Sequence, residues 1–492
     1  IDTSEATVEL LLRAAEGGAS TRLEREAAAL AVGLLRRTDP KRRVDAVSLD
    51  LARTRLIDLI GGRKVPIRCR CFAAFALGLL ADQPYASPFS KDGRVVVKGL
   101  LNRLSEPHDD PDLPVALLTA LGLQPREAIP TKVFEDLRRA VAGGNVYKRK
   151  WSPLERAHAL STYARLRGPG WLLLSLRALG DRRLPSPVQR AARLAIGGNA
   201  DHLTADERLD AVRALVRTAK QAPDHLSEGL GQIALARIVQ AELRTDSASI
   251  LEETKAGEAL LAKAQKSYVP VRGFHALALA LAVRGVRSHH EGITKFVRAA
   301  HQTLLGGFDR PRGDGDLRGA YAVALGLIEA REARDRLVGV LNERNAGPSL
   351  RARAAISLAQ IGALDVGVRS GLQQVMADTR PLAPRSAAAL ALSLLTGTPQ
   401  SGALVRQLRE SDSQREQVAA ANALGQLDDP KSLPAITAVA LEHKNNFEIR
   451  ALAIAILGLI GDPEPTPSLF RLSLDANYIA RTDALNEAFT LL

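Results

Sequence analysis

The stretch "IRALAIAILGLIGDPE", residues 449–464, carries eleven consecutive uncharged residues between Arg450 and Asp462. A membrane-spanning helix needs roughly 20 apolar residues, so this run is about half long enough. The next candidate, "GFHALALALAV" (273–283), is closed by Arg284, and no transmembrane segment is expected. A run of this length with small and aliphatic side chains reads as a helix buried on most sides. Gly461, Asp462 and Pro463 then supply a helix stop.

The same pattern returns along the chain. Its sisters include "EQVAAANALGQLDDP" (416–430), "RSAAALALSLLTGTP" (385–399), "RARAAISLAQIGALD" (351–365) and "RGAYAVALGLIEA" (318–330). Earlier copies are "RGFHALALALAVRG" (272–285), "RAHALSTYARLRG" (156–168), "RCFAAFALGLLADQP" (70–84) and "REAAALAVGLLRRTDP" (25–40). One position tracks through Ala31, Ala76, Ala120, Thr162, Leu194, Ala234, Ala278, Ala324, Ser357, Ala391, Ala423 and Ile456. A period of roughly 33–46 residues suits two helices and their turns. The second helix of each repeat is amphipathic, as in "SLPAITAVALEH" (432–443), where Leu433, Ile436, Val439 and Ala440 share a face.

Composition agrees. The 492 residues are 46% hydrophobic and only 4% aromatic, so Ala, Leu, Val and Ile fill the core, and strands would want more aromatic and β-branched side chains. The predicted fold is all-α, a curved α-solenoid of about twelve helical hairpins. Residues 1–317 hold longer, irregular repeats with loop insertions near 82–114 and 143–153. Residues 318–492 hold regular repeats and a C-terminal cap, continuous with the first part.

The pattern V/I-R-x-x-A-x-x-A-L-G-x-I/L-G-D-P resembles the HEAT-like repeats of bacterial proteins, including those of phycobiliprotein lyases. "EIRALAIAILGLIGDP" carries it most fully, and the likeness runs clearly from Arg318 to Asp462 and more loosely before. It implies an armadillo-type solenoid whose apolar helix row lines the concave side. It implies little about function, because the fold serves scaffolds, lyases, DNA-repair proteins and transport factors.

Six positions before the tracked site stand Arg25, Arg70, Arg156, Arg272, Arg318, Arg351, Arg385 and Arg450; the exceptions are Pro114, Val188, Glu228 and Gln417. A cation in the first turn of a helix gains nothing from that helix's dipole, so another partner must favour it. The resemblance assigns this Arg an inter-repeat role. Asp82, Asp429 and Asp462, six residues after the tracked site, would complete an Arg–Asp ladder, each guanidinium bonding a turn carboxylate or a helix-end carbonyl. The competing reading is a basic stripe for an anionic partner.

Other departures from the repeat are candidate sites. "GGNVYKRKWSP" (143–153) sets Tyr147 and Trp151 around Lys148, Arg149 and Lys150. Rings among cations on a loop can stack bases and grip phosphates, or anchor a protein; a solvated loop with a packed Trp is the plainer expectation. "GGFDRPRGDGDLRG" (306–319) offers Asp309, Asp314 and Asp316 without the spacing of a calcium loop. His275, His289, His290 and His301 cluster in sequence but lack metal-site spacing. Cys69 and Cys71 are two residues apart, unsuited to a mutual disulfide, and read as buried helix residues. No nucleophile elbow, Walker loop or HExxH occurs in the sequence, so no catalytic residue, metal or cofactor is assigned.

The charge balance, 67 − 54 = +13, favours acidic partners. The expected function is a non-enzymatic scaffold or adaptor that binds protein over an extended surface. The alternatives are a nucleic-acid-binding solenoid and a lyase-like or chaperone role toward a cofactor-bearing protein. The chain starts at Ile1, which leaves both the cytoplasm and export after loss of an N-terminal segment open. Oligomeric state is not legible.

Overall fold

The computed structural model describes residues 5–17, 21–34, 46–81, 91–107, 110–310, 315–343, 345–362, 364–377, 383–411, 413–427, 429–442 and 447–460. Helices dominate, in an alternating outer and inner order. The first hairpins are Glu5–Glu16 (α1) with Arg22–Leu34 (α2), Ala46–Gly61 (α3) with Ile67–Ala81 (α4), Lys91–Ser105 (α5) with Asp112–Gly122 (α6), and Thr131–Val141 (α7) with Pro153–Arg165 (α8). Then come Trp171–Gly180 (α9), Ser186–Gly198 (α10), Ala205–Thr218 (α11), His225–Leu243 (α12), a short Ser249–Glu253 (α13), Ala256–Lys266 (α14) and Val269–Val283 (α15). The remainder are Glu291–Asp309 (α16), Gly315–Leu327 (α17), Arg334–Asn342 (α18), Pro348–Ile361 (α19), Val366–Ala377 (α20), Ala383–Thr396 (α21), Ser401–Glu410 (α22), Gln414–Leu427 (α23), Leu433–Leu441 (α24) and Phe447–Leu459 (α25). With α13 as an insert, this order makes twelve helical pairs: the chain is an α-solenoid of HEAT-like hairpins.

Local chemistry starts and stops the helices. Ser152 and Glu155 form a reciprocal capping box at α8, and Thr204 and Glu207 form another at α11. Gly362 ends α19 in the left-handed conformation, φ +75°. Every tracked residue except Leu194 is buried, because inner helices are covered by neighbours on both sides.

The described residues group into two compact units, residues 5–175 with 405–460, and residues 176–404. The division at 317/318 concerns repeat length and is a separate matter. In the second unit the inner helices α10, α12, α15, α17, α19 and α21 pack in succession. In the first, α2, α4, α6 and α8 do the same, α23 packs on α25, and α25 packs directly on α2. That last contact joins the first and last described hairpins.

Glycines set the helix spacing. A Cβ on Gly33 would lie 2.6 Å from the Cα of Ala76, one on Gly197 2.8 Å from that of Ala234, and one on Gly326 2.8 Å from that of Ser357. Each glycine stands two residues after a tracked site and touches the tracked residue of the next inner helix. For Gly197 this makes Ala195 the tracked residue, so the expected register at Leu194 moves by one and its Arg-equivalent becomes Gln189 in place of Val188.

Candidate functional site

The arginine row has one dominant partner. Arg25 donates from Nε to the Ala15 carbonyl at 3.1 Å and from Nη2 to that of Glu16 at 2.9 Å. Arg70 Nε reaches the Ile60 carbonyl at 2.7 Å, Arg156 Nη2 that of Val141 at 3.0 Å, and Arg272 Nε that of Ser267 at 2.9 Å. Arg385 Nε bonds the Met376 carbonyl and Arg450 Nε that of Ala440, both at 3.0 Å. Each acceptor lies at or just beyond the C-terminus of the helix before it. In an antiparallel hairpin the inner helix begins where the outer one ends. The cation therefore sits at the negative pole of the preceding helix and satisfies carbonyls that have no intrahelical donor. Gln417 does the same with a neutral amide, to Ser411 at 2.6 Å, whereas Gln189 bonds Leu184 at 3.0 Å in the loop after α9.

The bonds thus tie the two helices of one hairpin together, whereas the expected ladder stepped from repeat to repeat. Arg450 makes both kinds of contact, since its Nη1 also lies 2.8 Å from Glu24 Oε1 on α2. Arg318 differs, with Nη1 2.9 Å from Glu343 Oε2 and its guanidinium carbon 5.0 Å from the Phe308 ring centroid. Arg351 is half-buried at the same position of α19. Asp429 caps the short turn Pro430–Ser432, accepting from the Lys431 amide; Asp82 and Asp462 lie outside the described residues. Other cations bridge inner helices: Arg68 Nε to Glu26 Oε1 and Arg353 Nη1 to Asp316 Oδ1, both at 3.2 Å.

The loop 143–153 is a small antiparallel hairpin, Asn145–Val146 (β1) against Arg149–Lys150 (β2), with Val146 opposite Arg149. Tyr147 and Lys148 make its turn with φ +52° and +61°, a turn that usually takes Asn or Gly. Trp151 is only 3% exposed and Tyr147 is half-buried, their rings 6.3 Å apart. Arg149 lies over the Trp151 ring at 5.5 Å and donates to Glu155 Oε1 at 2.6 Å. Of the five candidate binding residues, Lys148 and Lys150 are exposed. The face of Trp151 is taken up by packing, so it offers no platform for a base.

The remaining candidates are dispersed. Asp309 faces Arg336 at 3.3 Å and Asp316 faces Arg353; Asp314 lies outside the described residues. His290 approaches Glu252 at 3.7 Å, His301 bonds Glu332 at 3.0 Å, and His275 lies in the core beside Ser267 and Glu228. Among the described residues no group of three His, Cys, Asp or Glu side chains is placed to hold a metal. Burial pushes the Cys69 thiol up to about 11 and the Cys71 thiol up to about 12, the opposite of what an activated nucleophile needs. Among the described residues no helix is long and apolar enough to cross a membrane.

What sequence reasoning missed is a cleft between α14, α16 and α17, about 270 Å³ in volume, lined by Leu261, Gln265, Thr303, Gly306, Arg310 and Tyr321 among others. Large apolar side chains also stand in water on separate helices: Leu173 (54% exposed), Val366 (85%), Leu394 (58%) and Leu441 (68%).

Residues 402–488 match the family model for HEAT repeats. No curated protein matches the chain in sequence. Among solved structures it is similar to Kap95p in a study of its binding to RanGDP, at 12% identity over 93% of this chain and 60% of that one, TM-score 0.45. A Kap95:Nup1 complex gives 12% identity, 93% and 61% coverage and 0.44. Importin beta gives 13% identity, 89% and 66% coverage and 0.46. The chain thus spans about 60% of the first of these structures.

Proposed function

We propose that this chain is a non-enzymatic scaffold that binds protein partners over the surface of its repeats. One observation carries the reading: Leu173, Val366, Leu394 and Leu441 are each more than half exposed, on four different helices. Burying such a side chain in an interface is favourable by roughly 1.5–3 kcal/mol, and protein interfaces draw most of their energy from a few apolar anchors ringed by polar groups.

Charge supports the same reading. Many guanidiniums have donors committed to helix-end carbonyls and to carboxylates within the fold, which leaves fewer of them free to grip phosphates. The nucleic-acid alternative keeps Lys148 and Lys150, exposed at the tip and edge of the β1–β2 hairpin. A labelled mixed-sequence oligonucleotide, titrated by fluorescence anisotropy at 50 and 200 mM salt, separates the two. The scaffold reading expects weak binding that fades with salt as counterions are released. Tight binding that survives 200 mM salt, and falls when Lys148 and Lys150 are changed to Gln, would replace it. Affinity purification with the wild type and with Leu394→Ser and Val366→Ser then asks which partner depends on the anchors.

A further inference from the structure

The cleft in the second unit has features that packing does not require. The last turn of helix α16 carries Gly306 and Gly307 in tandem, before Phe308 and Asp309, and each glycine inside a helix costs about 1 kcal/mol relative to alanine. Gly307 has a structural reason: a Cβ there would come within 2.1 Å of the Tyr321 ring. Gly306 has none, since a Cβ on it would meet nothing within 4 Å. Its missing side chain keeps the cleft open.

The walls are chemically selective. Leu261 and the buried Tyr321 ring form an apolar floor. The Tyr321 hydroxyl donates to the Ala264 carbonyl at 2.7 Å, which fixes the ring. Gln265 donates to Thr303 Oγ1 at 3.0 Å on one side, and Gln302 stands exposed on the rim. Arg310 is exposed at the mouth, and among the described residues no carboxylate belongs to the lining. Burial raises the Tyr321 hydroxyl's pKa; the charges acting against that are both cations, Arg272 and Arg310.

We propose that the cleft receives a glutamate side chain from an exposed segment of a protein partner. It rests on the protein-binding role proposed above and names one contact within it. The cleft volume, about 270 Å³, lies at the small end of ligand sites, roughly 300–1,000 Å³, and has room for one side chain. The methylenes of glutamate would lie on Leu261 and Tyr321. Its carboxylate would meet the Arg310 guanidinium, whose fork matches two oxygens, and the amide of Gln302. The charge balance of the whole chain, +13, favours an acidic peptide over a basic one.

The test uses a fluorescein-labelled nonapeptide of glycine and serine with three glutamates, and the same peptide with glutamines, titrated into the full chain at low salt. The glutamate peptide should bind in the submillimolar range and the glutamine peptide at least tenfold more weakly. Gly306→Leu fills open space in a helix, so it should fold normally and lower binding tenfold or more; Arg310→Gln at the exposed mouth should lower it three- to tenfold. Equal binding by wild type and Gly306→Leu, or no glutamate-peptide binding up to millimolar concentration, overturns the proposal. So does glutarate binding as tightly as the peptide, which would mark a small-anion site. Should Gly306→Leu keep an identified partner that Leu394→Ser loses, the cleft assignment fails while the scaffold role stands.

Discussion

Arg450 links three helices: its Nε donates to the Ala440 carbonyl that ends α24, and its Nη1 lies 2.8 Å from Glu24 Oε1 on α2. Glu24 is itself buried and takes the Thr21 amide at 2.7 Å through its other oxygen. The Nη1–Oε1 approach is a contact of opposite charges rather than an aligned hydrogen bond. Breaking a buried pair costs more than forming it gains, because the survivor is stranded. Arg450→Met and Glu24→Gln should each destabilise by about 1–3 kcal/mol. A double-mutant cycle should give a coupling above about 0.5 kcal/mol, with amide exchange rising in α2 and α25 together. Additive effects confined to each mutant's own helix would show that the pair joins nothing.

The helix-end bonds predict a graded series at Arg385. Met keeps the aliphatic stem and loses the donor, so Arg385→Met should cost about 1–2 kcal/mol in urea unfolding. Lys retains charge near the α20 C-terminus without the planar fork, so Arg385→Lys should recover part of that loss. Equal costs for the two variants would mean the charge is irrelevant there.

Two glycine-to-alanine changes should move in opposite directions. Gly33→Ala places a methyl 2.6 Å from the Ala76 backbone, where nothing flexible can yield, and should destabilise by about 1–3 kcal/mol. Gly339→Ala, inside α18 with nothing within 4 Å of the new carbon, should stabilise by about 0.5–1 kcal/mol. Thermal or denaturant midpoints decide it.

His275 carries a pH signature. Burial lowers its pKa to about 4; Glu228 opposes the shift and Lys263 adds to it. An unfolded histidine titrates near ~6.5. Between those values the unfolded chain takes up a proton that the native ring refuses, so this contribution is whole above about pH 6.5 and is lost as pH falls toward 4. The wild type should lose on the order of 2–3 kcal/mol more than His275→Gln between pH 7 and 4.5, measured by urea unfolding. Parallel pH profiles would refute this assignment.

The hairpins were legible because their signal is local: apolar runs, caps and helix stops lie within each copy. A helix-end carbonyl was among the expected partners of the arginine, but which helix supplies it was not legible, because the acceptor belongs to the antiparallel helix before it and lies from five to fifteen residues upstream. "RAARLAIGG" lacks the usual Ala-Leu-Gly, and only the touch of Gly197 on Ala234 fixes its register; the recurrent glycine two residues after the tracked site was the available clue. Tyr147 and Lys148 hide a β-turn because neither residue type advertises positive φ. The open cleft needed three dimensions, since Leu261, Gly306 and Tyr321 come from three helices. The candidate binding loop was found by composition, yet composition does not say which way a Trp points.

The packing of α25 on α2 also has a consequence in time. On a ribosome, α2 is complete once Leu34 has emerged, while α25 begins only at Phe447. At about 5–20 residues per second, the intervening chain takes on the order of 20–80 s to make. Throughout that interval the face of α2 that α25 will cover, Glu24 included, is without its native neighbour. The nascent chain therefore has a stated period of vulnerability, ended by its own last described helix, and a factor that shields apolar helical surface would act on it in that window.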